Sequence, residues 1–287
     1  MALEGLAECA GLLDFPPDAP AKEAAARVHT VRRRLKWLRS MLRVVRPALS
    51  KRAFREADHT LRDAGRCLAS ARAATARIES LTRLLLHYGV TGARPEEVLG
   101  LERTPGVPSR SERERAAELI SRATSHAHSW LPDTQAEVLV LGLRDELERT
   151  RRAFSRAQKR PSSSRVHEWR KHVKRHWHQL ELVRDLEPSL DARIARLDAL
   201  SELLGDAHDL ADLETGLPPT KDSAVNLSAL CASREAELTL AALTEGRELF
   251  ALRPRALRAL LEKHVRDDES PHAPRKGQKS YQSANPA

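Results

Sequence analysis

Residues 27–46 read RVHTVRRRLKWLRSMLRVVR, and two patterns are interleaved in them. Val28, Val31, Leu35, Leu38, Leu42 and Val45 recur at spacings of three and four, which places one apolar stripe along an α-helix that Pro47 ends. Eight Lys or Arg residues occupy the same stretch with no acid among them. Arg32 and Lys36, or Arg39 and Arg43, lie one turn apart and repel by about 0.2–0.5 kcal/mol per pair. An ordinary solvated helix face would interleave glutamates, as Glu146, Glu148 and Arg149 do elsewhere in the chain. A face left uncompensated invites an anion.

The basic pattern occurs twice. His29, Arg32, Arg33 and Lys36 recur as His167, Arg170, Lys171 and Lys174 after a shift of 138 residues, both reading H-x-x-R-[RK]-x-x-K. At 100° per residue the four side chains span roughly a third of the helix circumference, opposite the apolar stripe. Downstream, Leu61 and Leu68 match Leu197 and Leu204 after a shift of 136. The two halves therefore read as an internal duplication.

The surrounding sequence is built for helices. Aromatics are 3% of the 287 residues and Gly only 12, while Ala, Leu and Arg dominate, so the expected class is all-α. Beyond residues 27–46, helices are expected over about 50–86, 111–130, 133–159, 165–186, 189–213, 222–250 and 254–265, about eight in total. Gly65 is the weak point of the second, residues 89–108 are irregular, and Ser111 with Glu114 has capping-box spacing. Residues 1–19 read as an N-terminal extension, 20–160 and 161–266 as two helical units, and 267–287 as a disordered tail.

Charge narrows the function classes. Lys+Arg at 49 against Asp+Glu at 40 gives +9 and a pI near 9.9, with 39 Arg to 10 Lys. Arginine's planar fork grips phosphate oxygens two at a time, so a polyanion is the expected kind of partner. Cys9, Cys67 and Cys231 form no CxxC pair, the N-terminus carries Glu4, Glu8 and Asp14, and no apolar run nears the length of a membrane span. A cytoplasmic, reducing location follows as the expectation.

Catalytic constellations are hard to find. His172 and His176 at i, i+4, with His178 nearby, invite a zinc reading, but the residues between are Val173, Lys174 and Arg175 instead of the glutamate of HExxH. Cations beside a divalent ion are unfavourable, and His176 is expected to face the helical core with His172 and His178 partly exposed. Glu112, Glu114 and Ala116 miss the lysine of an ExExK strand, and no Walker lysine, nucleophile elbow or acidic metal cluster stands out. Neither a metal nor a cofactor is expected.

His29–Arg46 and Val166–Val183, each followed by a Leu-rich helix, resemble the CHAD family, the conserved-histidine α-helical domain. Val166, His167, Glu168, Trp169, Arg170, Lys171, Lys174 and Arg175 follow its pattern almost continuously, and Leu203, Leu204, Gly205, Asp206 and Asp209 resemble its second signature. Residues 142–157, with Arg144, Arg149, Arg151 and Arg152, are similar to the Arg-rich helix closing the family's first half. The likeness spans about residues 20–266. It implies two four-helix bundles related by a pseudo-twofold axis, with basic helices lining a groove for inorganic polyphosphate and an association with polyphosphate granules. The expected binding residues are His29, Arg32, Arg33, Lys36, Arg39, Arg43, Arg144, Arg151, His167, Arg170, Lys171, Lys174 and Arg175. Lys36–Trp37 and Trp177–His178 depart from the family's Arg-Arg and Arg-Tyr, and Ala73 stands where an acid equivalent to Asp209 is usual.

Nucleic acid is the competing phosphate polymer, bound through the same cations by counterion release. Single-strand recognition leans on exposed aromatics, whereas Trp37, Trp169 and Trp177 fall within helices and are expected to pack. His29 and His167 are expected to gain charge below about pH 6.5.

Overall fold

The computed structural model describes residues 2–16, 19–100, 107–130, 136–185, 187–217, 226–251 and 259. Among the described residues the chain is all-α, with ten α-helices, two short 3-10 turns and no strand. The helices are α1 (Ala2–Leu13), α2 (Ala21–Val44), α3 (Lys51–Cys67), α4 (Ala69–His87), α5 (Pro95–Val98), α6 (Arg110–Trp130), α7 (Ala136–Lys159), α8 (Ser163–Glu181), α9 (Asp191–Thr215) and α10 (Leu227–Leu249).

Local chemistry explains the departures from the expected boundaries. Residues 2–13, read as an extension, form α1, whose Leu6, Cys9 and Leu13 sit on one face and are buried. The expected helix over 50–86 is two helices that meet at Leu68. Arg32 of α2 donates to the Gly65 carbonyl, so a last-turn acceptor of α3 is met by a side chain from a neighbouring helix. The capping box of α6 lies two residues earlier than expected: the Ser109 hydroxyl accepts from the Glu112 amide at 3.2 Å, and the Glu112 carboxylate accepts from the Ser109 amide at 2.8 Å. Of the expected helix at 254–265 only residue 259 is described, in helical conformation, and the tail at 267–287 lies outside the described residues.

The helices share three apolar cores. Val28, Val31, Leu35, Leu38 and Leu42 of α2, the stripe read from the sequence, pack with α1, α3 and α6 through Leu61, Ala64 and Ile120. A second core joins α7, α8, α9 and α10 around the fully buried Trp169, with Leu143, Leu147, Leu180, Leu197 and Leu204. Helix α7, which falls in residues 20–160, thus contributes to the same core as the helices that follow it. A third core sets Leu81 and Leu84 of α4 against Leu210 and Leu213 of α9 and Cys231 of α10.

One contact joins α2 to α8 directly, and a second joins α2 to α7, which itself packs on α8. The Gln179 amide, buried on α8, donates to the Ser40 carbonyl of α2 at 3.2 Å. Gly142 of α7 passes so close to the end of α2 that a Cβ there would fall 2.1 Å from the Val44 carbonyl oxygen. Only glycine permits that approach. The basic faces of α2 and α8 are thereby brought to one seam.

Candidate functional site: a cationic cleft between two basic helices

A cleft of about 340 Å³ opens along that seam, with α9 as its third wall. Its lining carries seven cations, Lys36, Arg39 and Arg43 from α2 and Arg170, Lys171, Lys174 and Arg175 from α8, together with Ser40, His167, His178 and His208. No carboxylate is among these lining residues. The apolar stripe of each helix is committed to a core, so the opposite, basic stripe faces away from it, and part of that stripe lines the cleft.

Eight of the residues expected from the sequence meet here: Lys36, Arg39, Arg43, His167, Arg170, Lys171, Lys174 and Arg175. The other five lie elsewhere. His29 is exposed one to two turns further up α2, and Arg32 is directed to the Gly65 carbonyl. Arg33 lines an adjoining cavity, Arg144 pairs with Asp145 at 3.1 Å, and Arg151 adds its charge to the field at Arg193.

Two of the cleft arginines are held by one acid. Asp58 of α3, with its side chain 13% exposed, accepts from Arg39 at 2.9 and 3.1 Å and pairs with Arg43 at 2.8 Å. Burial alone would raise its carboxyl, but the Arg39 hydrogen bonds and the Arg43 charge outweigh burial and hold it below the usual carboxylate range. Arg43 also donates to the Arg39 carbonyl at 2.7 Å. Burial first, and then the facing Arg175, push the Arg43 guanidinium down to about 10.

The remaining cations are less compensated. Lys171 reaches Glu168 at 2.6 Å, whereas among the described residues Lys36, Arg170, Lys174 and Arg175 have no carboxylate within 4.0 Å. Lys36 is exposed to solvent as a residue, yet it lines the cleft beside the other cations. Desolvation, then Arg32, Arg170 and Lys174, push its ammonium down to about 8 against the pull of Asp209. Lys174 is lowered as well, by burial and then by Arg170, with Asp198, Asp209 and Glu202 opposing. Three ring or guanidinium nitrogens facing this region, His167 Nδ1, Arg170 Nε and His178 Nε2, are buried without a protein partner. Cations crowded until their own charge is disfavoured are stabilised by an anion placed among them.

His167 corrects one expectation. Its ring lies 4.1 Å, centroid to centroid, from that of His208, and burial followed by the charges of His208, Lys171 and Arg170 pushes its pKa to about 4. It is therefore neutral at pH 6, not cationic. His172 and His178, expected to be partly exposed, are buried. The Nδ1 of His172 lies 2.5 Å from the Glu146 carboxylate, itself only 3% exposed, because a buried acid needs a partner and α8 supplies one to this acid of α7. His176 is fully buried with neither ring nitrogen bonded, and burial drives its pKa well below the ordinary histidine value. Among the described residues no three His, Cys, Asp or Glu side chains are grouped to hold a metal.

Sequence reasoning missed Asp58, Ser40, His178 and His208. His208 could have been found, since it lies within the segment that holds Asp206 and Asp209 and one turn beyond the core residue Leu204. Asp58 had no local signal. The acids of α9 do not close the cleft, because Arg83 of α4 takes Asp206 at 3.2 Å and lies 3.9 Å from Asp209.

A family model for the CHAD domain matches residues 11–218, more than two thirds of the chain. The chain belongs to the CHAD family. Comparison with curated proteins and with solved structures finds no match. The CHAD family is linked to polyphosphate binding and is generally non-catalytic. No described helix of this CHAD protein is long and apolar enough to cross a membrane.

Proposed function

We propose that this CHAD protein binds inorganic polyphosphate in the cleft between α2 and α8, without turning it over. The observation that carries the reading is the cleft lining: seven Lys or Arg side chains and no carboxylate, drawn from two helices with the same H-x-x-R-[RK]-x-x-K pattern. Arg170 and Arg175 would take phosphate oxygens by their forks, and Lys36 and Lys174 would act as point charges between them. A linear chain of repeating anions fits a slot bounded by two helices, because many modest contacts act on one molecule.

In the same reading the sequence repeat is a duplication, dividing residues 20–160 from 161–266, each half contributing one basic helix to a shared groove within a pair of four-helix bundles. The cores of α1, α2, α3 and α6 and of α7 to α10 are compatible with such a pairing, with α7 exchanged across the boundary. A cytoplasmic protein of this kind would attach to polyphosphate granules or respond to polyphosphate. His29, Arg32 and Arg33, further along the face of α2, would meet only chains long enough to leave the cleft.

The rival ligand is nucleic acid, with the same phosphate chemistry. Labelled long-chain polyphosphate competed with single-stranded DNA and RNA at fixed salt separates the two. The reading requires that neither nucleic acid displace polyphosphate at matched phosphate concentration, and displacement by either would transfer the site to it.

A further inference from the structure

Beside the cationic cleft lies a second cavity, of about 400 Å³, between α1, α2 and α8. Its walls differ in kind. Trp37 and Trp177 supply two half-buried indoles, Thr30 a hydroxyl, Glu8 and Glu181 carboxylates, and Arg33 and Arg34 guanidiniums, that of Arg34 lying 5.6 Å from the Trp37 ring centroid and leaving the other face of the indole for a ligand. The volume lies within the roughly 300–1,000 Å³ of small-ligand pockets.

The two cavities adjoin. Arg33 lines one and Lys36 the other, one turn apart on α2 and so separated by about 5–6 Å at their Cβ atoms. On α8 the ammonium of Lys174, in the cleft, lies 5.7 Å from the ring centroid of Trp177, and His178 lines both spaces. An anionic chain leaving the cleft past Lys36 meets Arg33, and beyond it the indoles.

Further phosphates suit that second space less well than the cleft, since Glu8 and Glu181 offset the charges of Arg33 and Arg34 there, whereas the cleft lining has no carboxylate. Glu8 is paired with Arg34, and Glu181 accepts from His178 Nδ1 at 3.2 Å, but each carboxylate retains oxygen lone pairs. What suits the space is a flat ring that stacks on indole and offers amino hydrogens to a carboxylate, attached to a chain of phosphates. The geometry points to a nucleoside triphosphate with an amino-bearing base, its phosphates in the cationic cleft and its base in the tryptophan-walled cavity. This inference rests on the phosphate reading of the cleft and adds a base-binding subsite to it.

The test compares ATP with inorganic tripolyphosphate by calorimetry in metal-free buffer, on the full chain and on Trp37→Leu. ATP is expected to bind at least about fivefold more tightly than tripolyphosphate, although it carries less charge, because stacking one base is worth a factor of that size or more. In Trp37→Leu, with helicity checked by circular dichroism, that advantage should shrink to about one while tripolyphosphate affinity is unchanged. ATP binding no more tightly than tripolyphosphate to the wild-type chain overturns the base subsite and leaves the phosphate cleft standing, whether or not the variant folds. An advantage that survives in folded Trp37→Leu also overturns it. Failure of both compounds and of long-chain polyphosphate to bind removes the cleft reading itself.

Discussion

The guanidinium of Arg39 meets the carboxylate of Asp58 in a two-point contact, Nε to Oδ1 at 2.9 Å and Nη2 to Oδ2 at 3.1 Å. Because Asp58 also pairs with Arg43 at 2.8 Å, one acid on α3 fixes two of the cleft's arginines and is the internal competitor of any bound phosphate. Asp58→Ala leaves two partly buried cations without their partner, which should cost about 1–3 kcal/mol of stability and lower the thermal midpoint. Saturating long-chain polyphosphate supplies the missing anion, so it should raise the midpoint of the variant by more than it raises that of the wild type. Equal shifts in differential scanning fluorimetry would show that Arg39 and Arg43 do not meet the ligand.

Lys36 and Lys174 face each other's helices in the cleft with no carboxylate within 4.0 Å among the described residues. Reversing both to Glu makes four unit changes of charge at the ligand, each worth about 0.5 kcal/mol where solvent is present, so affinity for polyphosphate should fall by roughly tenfold or more. Helicity should be unaffected, since neither side chain joins a core. Wild-type affinity in this double variant would place the binding site outside the cleft.

Lys36 should also make binding depend on alkaline pH. Its ammonium, pushed down to about 8, loses its proton between roughly pH 7 and 9, and only the charged form attracts phosphate. Affinity for polyphosphate measured at constant ionic strength should therefore decline from pH 7 to 9, and Lys36→Arg, which stays charged, should flatten the decline. A profile indifferent to that substitution would remove Lys36 from the ligand's neighbourhood.

The buried histidines should govern acid stability. His167, at about 4, and His176, well below its ordinary value, bind protons more readily in the unfolded chain than in the folded one. Their contribution is complete above about pH 6.5 and is lost as pH falls toward 4. Thermal midpoints should drop over that range, and His176→Leu should drop less steeply. A parallel fall in the variant would mean that other groups set the acid limb.

How much of this was legible in the sequence varies by feature. The apolar stripe of α2 was readable because helical periodicity is local, and Val28, Val31, Leu35, Leu38 and Leu42 are all buried. The same periodicity was present in Leu6, Cys9 and Leu13 but was too short to outweigh the reading of a terminal extension. Lys36, Arg39 and Arg43, which the structure brings to one cleft, could be singled out because a run of cations without acids along one helix is visible in one dimension. Asp58 was not, because its role is set by the packing of α3 on α2, and nothing within its own helix marks it. Nor was the neutrality of His167, which comes from a ring on α9 and from burial that no spacing rule contains.

The central claim is that a long phosphate chain is held by many cations at once along the α2–α8 seam, and its most direct test is an affinity titration of long-chain polyphosphate beside pyrophosphate at about 50 and 200 mM salt. Long chains should bind far more tightly than pyrophosphate at both salt concentrations, and their affinity should fall steeply between them, with a shallower slope in the Lys36→Glu, Lys174→Glu variant. Pyrophosphate binding as tightly as the long chain, or an affinity unmoved by salt, would contradict the extended cationic cleft.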